Sequence, residues 1–280
     1  MTENFTIKTC LSFAAKFLAT EEAALEAQLL LQHVLNVNRA WLIAHENDAL
    51  SPENFAQFQH LIARRKNGEP VAYILGYREF FALKLKVTPD TLIPRPDTET
   101  LVEAALEKIS KNQSSNVLDL GTGTGAIALA IAKNLPNVQV TAIDFSANAL
   151  KIAQENAENL NIQNISFLQS DWFSALENQR FDVVVSNPPY IEESDAHVSQ
   201  GDLRFEPKSA LTSGVDGLDD IHKIIFESAG FLKPQGWLML EHGYIQGEKV
   251  RDLMVRSDFS EVTTVQDFGG NDRVTMGRIS

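Results

Sequence analysis

A single cysteine, Cys10, stands in 280 residues, so no intramolecular disulfide can form. The six histidines fall nowhere at metal-ligand spacing, and no metal site is expected. Long apolar runs are missing too. "AIALAIA" at 126–132 is far shorter than the roughly 20 residues a membrane-spanning helix needs. The start, "MTENFTIKTC", lacks the basic-then-apolar pattern of a secretory leader. A reduced, cytoplasmic setting without membrane contact is the expectation. Basic clusters are scarce: beyond "ARRK" at 63–66 no Lys/Arg stripe could follow a phosphate backbone, which speaks against nucleic acid as a direct substrate.

What the chain does carry is acid and apolar residues. The net charge is -13, and residues 1–80 hold 7 basic and 9 acidic side chains against 17 and 28 beyond them. With 44% hydrophobic residues the chain can build a large core, and its length favours one large domain plus a smaller one.

The first seventy residues have helical periodicity. Leu11, Phe13, Ala14, Phe17 and Leu18 trace one apolar face; Ala24, Leu25, Leu29, Leu31 and Leu35 trace a second. Ser51, Pro52 and Glu53 together predict a helix start, with a capping hydroxyl, a proline at the first turn and a carboxylate at the positive end of the dipole. Gly68 and Pro70 mark its end. Residues 1–72 are thus expected to form a small helical domain. "FALKLKV" at 81–87 alternates like a half-exposed strand, so 73–94 is expected to be a hairpin and linker. "IPRPDTET" should lead into a helix capped by Asp97 or Thr98.

From Asn116 onward, seven strand-like segments alternate with helical ones: "NVLDL", "VQVTAID", "ISFLQSD", "FDVVVSN", "GWLMLE", "EVTTVQ" and "DRVTMGRI". This implies an α/β fold, a doubly wound and mainly parallel sheet covered on both faces. Only "DFGGN" separates the last two strands, too short for a crossover helix, so they should close the sheet as an antiparallel hairpin.

The chemistry gathers at the ends of these strands. In "LDLGTGTGAIALA", Gly121, Gly123 and Gly125 allow a tight turn whose backbone approaches a ligand closely, next to the free N–H groups of a helix start. A dinucleotide would satisfy this spacing, but Asp119 would repel a pyrophosphate and suits a cationic ligand better. Packing of helix on strand is the plain structural use of such glycines. Asp144 ends the second strand, where an acidic side chain can accept ribose hydroxyls or cap the next helix. Asp171 and Trp172 end the third, placed for an amino group and a ring face, or for ordinary core packing. The fourth strand stops at Asn187, Pro188, Pro189 and Tyr190. The prolines lack N–H groups and have a fixed φ, so their carbonyls can point at a pocket without a competing donor. Asn187 Oδ1 and the Pro188 carbonyl could hold the two hydrogens of a planar NH₂ group, with Tyr190 on its face. A proline turn with a surface tyrosine is the plainer alternative.

"DLGTGTGAIA" together with "SNPPY" resembles the class I methyltransferases that use S-adenosylmethionine and modify planar NH₂ groups, over roughly residues 95–280. "GEPVAYILGYREF", "LIPRPDTE", "RFEPKSAL", "DGL", "EHGYIQG" and "GGNDRV" extend the likeness almost end to end, and together resemble the peptide chain release factor glutamine methyltransferases. The resemblance implies a class I methyltransferase domain over 95–280 and S-adenosylmethionine as cosubstrate. It implies the release factor's Gly-Gly-Gln tip as target and a helical domain that helps to grip that protein. It implies that Gly121, Thr122, Gly123, Thr124 and Gly125 line the methionine moiety, Asp144 the ribose, and Asp171 and Trp172 the adenine region. Asn187 to Tyr190 would bind the glutamine amide, with Asn187 also among the cofactor-binding residues, and Arg95 would order a loop or the substrate, unless its proline-braced segment is simply a rigid interdomain linker. Residues 192–217, long and aperiodic, would form a flap facing the substrate. Three other readings share these motifs: a glutamine methyltransferase of a ribosomal protein, a DNA adenine-amino methyltransferase, and a non-catalytic module that keeps the cofactor fold.

Overall fold

Thr6, Asn38 and Ser51 each turn a side-chain oxygen back onto the backbone and start a helix: they accept from Thr9 N–H (3.3 Å), Trp41 N–H (2.9 Å) and Asn54 N–H (3.2 Å). The computed structural model describes residues 5–109 and 114–280, and the chain divides into two units, Met1–Gly76 and Tyr77–Ser280. The first consists of α1 (Ile7–Leu18), α2 (Ala23–Leu35), α3 (Arg39–Ala44), α4 (Pro52–Lys66) and α5 (Val71–Leu75). Tyr73 therefore lies in a helix, ahead of the hairpin rather than in it.

The helices stand where the periodicity predicts, but their buried faces are rotated. α1 buries Ile7, Cys10, Ala14 and Leu18, while Phe13 and Phe17 are 67% and 43% exposed. α2 buries Ala23, Ala27, Leu30 and Leu31, and leaves Leu25 exposed. Small residues at the seam let these helices approach closely, and the bulkier phenylalanines are left outside. Hydrophobic periodicity could not reveal Glu26, which is buried and held by Arg65 (2.7 Å) and the Thr20 hydroxyl (2.8 Å), tying α2 to α4.

The second unit opens with a hairpin, β1 (Tyr77–Phe80) and β2 (Leu83–Lys86), paired antiparallel. Its turn is Phe81–Ala82, both at positive φ (48° and 58°), and Phe81 N–H donates to Glu99 Oε1 at 2.8 Å. The expected strand thus begins two residues late. After a 3₁₀ turn, Pro96–Thr98, come α6 (Glu99–Lys108), β3 (Asn116–Leu120), α7 (Ala126–Asn134), β4 (Gln139–Asp144), α8 (Ala147–Asn159), β5 (Ile165–Gln169), β6 (Phe181–Ser186), α9 (Asp219–Ser228), β7 (Leu232–Glu241), α10 (Gly247–Arg256), β8 (Ser260–Gln266) and β9 (Asp272–Arg278). Neither expected cap operates at α6: Asp97 pairs with Arg273 (3.3 Å) and Thr98 makes no capping bond.

The seven strands form one sheet in the order β5-β4-β3-β6-β7-β9-β8, parallel except for β9, which pairs antiparallel with both β7 and β8. This is the doubly wound sheet with a terminal antiparallel hairpin that the alternation implied. α6, α7 and α8 supply the core on one face and α9 and α10 that on the other. β6 serves both, with Val183 and Val185 on the first side and Val184 on the second. Each such fully buried side chain contributes about 1.5–3 kcal/mol by leaving water. Among the described residues no helix is long and apolar enough to cross a membrane.

Candidate active site at the carboxyl ends of the strands

Register fixes which residues meet at the sheet edge. Leu120 pairs with Ile143 on one side and Ser186 on the other, so Gly121 follows beside Asp144 and Asn187. Ser186 also pairs with Leu240, which brings Asn187 next to Glu241. Because β9 runs antiparallel, its start, Asp272 and Arg273, arrives at this same edge. Ligands in open α/β sheets bind beyond such carboxyl ends.

A cavity of about 400 Å³ lies there, lined by Gly121, Gly123, Asp144, Asp171, Trp172, Asn187 and Pro189 among others. Most sequence candidates therefore converge on one crevice. Thr122, Thr124 and Gly125 are not on its wall: both threonines are buried, and Gly125 starts α7 at φ +82°, where an added Cβ would come 3.0 Å from Leu129. Asp119 is wholly buried beneath the turn and accepts the Thr122 hydroxyl at 2.6 Å. Burial pushes its carboxyl up to about 7. It acts as a brace under the glycines and does not present a charge to the crevice as the sequence suggested.

Asp144 links two backbones: Oδ2 accepts Gly123 N–H and Oδ1 accepts Ser146 N–H, both at 2.8 Å. Burial raises its pKa and these two bonds lower it. Each oxygen keeps a lone pair for a further donor. Trp172 sits at φ +48°, a region that bulky residues rarely adopt. It is pinned there by Ser170 Oγ, which donates to its carbonyl (2.6 Å), and by its own Nε1, which donates to Asp220 Oδ1 (3.1 Å). The ring wall beside Gly121 is thus held in one pose. Asp171 is exposed and pairs with Lys223 at 3.1 Å.

Asn187 lines both this crevice and a smaller cavity of about 70 Å³, where Pro188, Tyr190, Arg95 and Leu203 join it. Its Nδ2 donates to Thr98 Oγ1 at 3.2 Å, and its Oδ1 has no partner among the described residues. Tyr190 donates its hydroxyl to Glu241 Oε1 at 3.3 Å. The tetrad therefore offers an acceptor between a large chamber and a narrow slot.

Comparison with known proteins decides the family. The family model described as "Methyltransferase small domain" matches residues 97–269, and "PrmC N-terminal domain" matches 9–76. A protein named release factor glutamine methyltransferase from Escherichia coli (strain K12) is 48% identical over 260 residues, 93% of this chain and 94% of that one. Its namesake from Vibrio cholerae is 50% identical over 277 residues, 98% and 96% of the two chains. The chain belongs to the release factor glutamine methyltransferase family. Among solved structures, a methyltransferase from Pyrococcus furiosus superposes with TM-score 0.54 at 18% identity, covering 77% of this chain and 96% of that one. A T. Thermophilus 16S rRNA methyltransferase in complex with AdoMet and guanosine gives 0.53 at 20%, covering 73% and 50%. At these identities the likeness is one of fold.

Several residues that shape this family member's site were invisible in the sequence. Asn156, buried in α8, donates to the Thr124 carbonyl (2.9 Å) and accepts Lys86 N–H (2.7 Å), fastening the hairpin to the glycine turn. Glu206, in the 192–217 segment, is buried, accepts Ile93 N–H at 2.9 Å and pairs with Arg95. Arg95 thus fastens that segment beside the site, and Pro207, Ser209 and Ala210 of the segment line the crevice. Glu241 had one usable signal, an acid at the end of an apolar strand. Among the described residues no three His, Cys, Asp or Glu side chains converge on a metal-sized site.

Proposed function

We propose that this chain transfers the methyl group of S-adenosylmethionine to the side-chain amide nitrogen of the glutamine in the Gly-Gly-Gln motif of peptide chain release factors, acting in the cytoplasm. The observation that carries the reading is Asn187: its nitrogen is committed to Thr98, which leaves its oxygen as an acceptor where the crevice meets the slot. Family membership supports the same substrate.

The crevice fits the cosubstrate. Its volume of about 400 Å³ lies within the range of small-molecule sites, and its lining mixes a few polar groups with Trp172, Ile143 and Phe145. Gly121 and Gly123 would admit the methionine moiety close to the backbone, Asp144 would accept from the ribose, and Trp172 and Asp171 would face the adenine. S-adenosylmethionine supplies an electrophilic methyl group on a sulfonium.

The protein's task is to make a poor nucleophile react. An amide lone pair is delocalised, so catalysis must come from position and electrostatics. Asn187 Oδ1 and the Pro188 carbonyl would accept the two N–H bonds and hold the nitrogen towards the crevice. As the C–N bond forms and the S–C bond breaks, positive charge grows on that nitrogen and these acceptors hold it more tightly than in the ground state; the sulfur would leave as a neutral thioether and one N–H proton would pass to water. A glutamate would set a carboxylate against two acceptors, and a site built on such bonds discriminates by roughly 10⁴. Supplying labelled S-adenosylmethionine with release factor, ribosomal protein or DNA in separate reactions tests the assignment. Label on the release factor glutamine alone, absent from a Gln→Glu release factor, is the expected result; label on ribosomal protein or DNA instead overturns it.

A further inference from the structure

The stretch "EHGYIQG", Glu241 to Gly247, carries two large apolar side chains that stand out into solvent: Tyr244 is 63% exposed and Ile245 75%. Val215, in the loop that ends at Gly217, is 87% exposed. A lone exposed apolar residue is ordinary on a protein surface. These three are not scattered, because one buried glutamine ties their loops together beside the tetrad.

Gln246 is buried and spends its amide on backbone. Oε1 accepts Gly243 N–H at 2.8 Å, which closes the turn that carries Tyr244 and Ile245. Nε2 donates to the Tyr190 carbonyl (3.0 Å) and to the Asp216 carbonyl (3.3 Å), next to Val215. Two glycines let these loops close in on Tyr190. Gly217, at φ +74°, has no room for a Cβ against the Tyr190 carbonyl, and a Cβ at Gly243 would stand 3.7 Å from the Tyr190 ring. Polar groups border the three apolar side chains: Asp216 and Lys249 face each other at 3.9 Å, and the exposed Glu193 joins the same loop by donating its N–H to the Gly214 carbonyl (3.0 Å). An apolar centre inside a polar rim is the anatomy of a protein-binding surface.

The slot beside Tyr190 has a volume of about 70 Å³, room for a single side chain. A glutamine amide is the same group in every protein, so the slot by itself cannot tell one glutamine-bearing protein from another. The two glycines of a Gly-Gly-Gln motif add no side chain to read. Affinity for the right protein therefore has to come from surface outside the slot. We infer that Val215, Tyr244 and Ile245 form a docking surface at the mouth of the amide slot, and that its occupant is the release factor segment flanking the Gly-Gly-Gln motif. The release factor reaches this place only on the function proposed above, on which the inference rests. Gln246 and the two glycines fix the surface to Tyr190, so a partner seated on it presents its glutamine in a set position.

The test is steady-state kinetics of the full chain with intact release factor, with Tm and calorimetry of S-adenosylmethionine binding as controls for the fold. The triple variant Val215→Ser/Tyr244→Ser/Ile245→Ser should raise KM for release factor about tenfold and keep kcat within about twofold, with Tm and cofactor affinity unchanged. Tyr244→Ser alone should carry the largest share, because tyrosine is favoured at such anchors, and Tyr244→Phe should bring KM back near wild type. Phe226 is as exposed, at 82%, but lies near the end of α9 that leads into β7, at the opposite edge of the sheet; Phe226→Ser should leave KM unchanged. An unchanged KM in the triple variant overturns the inference, and so does an equal rise in Phe226→Ser. If the triple variant loses Tm or cofactor affinity, the three single variants decide: a rise in KM with the fold retained supports the surface, and no rise in any of them overturns it. A wild-type dimer in sedimentation that the triple variant dissolves, with KM unchanged, marks a self-association face instead and also overturns it. Failure of the proposed function looks different. If wild type transfers no methyl group to release factor, both readings fall; if wild type methylates it and the triple variant does so with the same KM, the docking surface alone falls.

Discussion

The tips of β3 and β7 are built alike and used differently. Each carries a wholly buried acid, Asp119 or Glu241, that burial pushes up to about 7. Asp119 takes the hydroxyl of Thr122, three residues on in its own turn, and what reaches the crevice from that tip is glycine backbone. Glu241 takes the Tyr190 hydroxyl, 51 residues away, so its partner comes from a distant part of the chain. A site made of local backbone tolerates its buried acid as a brace. At a tip made of converging side chains, the acid holds a partner brought from a distant element.

Four changes would break or sharpen this contrast. The largest effect belongs to Asp119→Asn and is on stability. A folded pKa near 7, above the ordinary 3.8, means that the native state holds a proton the unfolded chain has lost. Asp119 thus favours folding most below about pH 3.8, and its contribution falls as pH rises to about 7, by on the order of 4 kcal/mol at most. Urea denaturation of Asp119→Asn at about pH 4 and pH 8 should lack most of that decline. Glu241 keeps a smaller share, between its ordinary 4.5 and about 7. An unchanged decline in the variant would show that Asp119 is ionised in the fold.

Next is Asn187→Ala, expected to lower turnover about 10²-fold, the scale of one preorganised hydrogen bond, with S-adenosylmethionine affinity retained by calorimetry. Asp144→Ala should do the converse. It removes the acceptor of Gly123 N–H and Ser146 N–H, and cofactor affinity should fall roughly tenfold while circular dichroism shows the fold intact. Together the two variants divide the edge into an amide side, read in kcat, and a cofactor side, read in Kd. Affinity loss in both, or in neither, would erase the division.

The same contrast explains what could be read from residue order. The strands were legible because buried parallel strands are apolar runs, and "NVLDL" or "FDVVVS" can be little else. Gly121, Asp144 and Asn187 were legible because each ends such a run, where ligands bind in this architecture. Thr98, Asp220 and Asn156 were not, since each is recruited by register or by a segment far away in sequence. The Phe81–Ala82 turn was missed because neither residue belongs to the Asn-Gly type that usually occupies positive φ; the Glu99 bond to Phe81 N–H holds it there. The faces of α1 and α2 were only partly right because periodicity counts phenylalanine as core: Ala14, Leu18 and Leu31 are buried as expected, while Phe13, Phe17 and Leu25 are exposed and Cys10 and Ala27 are buried in addition.

The smallest effect belongs to the outer rim, where Lys223 pairs with Asp171 at 3.1 Å with side chains 40% and 58% exposed. Water screens such a pair, and holding two long side chains together costs entropy, so its net worth is about 0–1 kcal/mol. Lys223→Ala should therefore shift the urea midpoint barely, and should leave kcat unchanged because neither group bonds to the Asn187 to Tyr190 tetrad. Asp171 does line the crevice, however, and losing its partner frees its carboxylate for an amino group there. Slightly tighter S-adenosylmethionine binding, strongest at low salt where charges act furthest, is the expected result. A loss of affinity would mean that Lys223, rather than Asp171, is the rim residue that meets the cofactor.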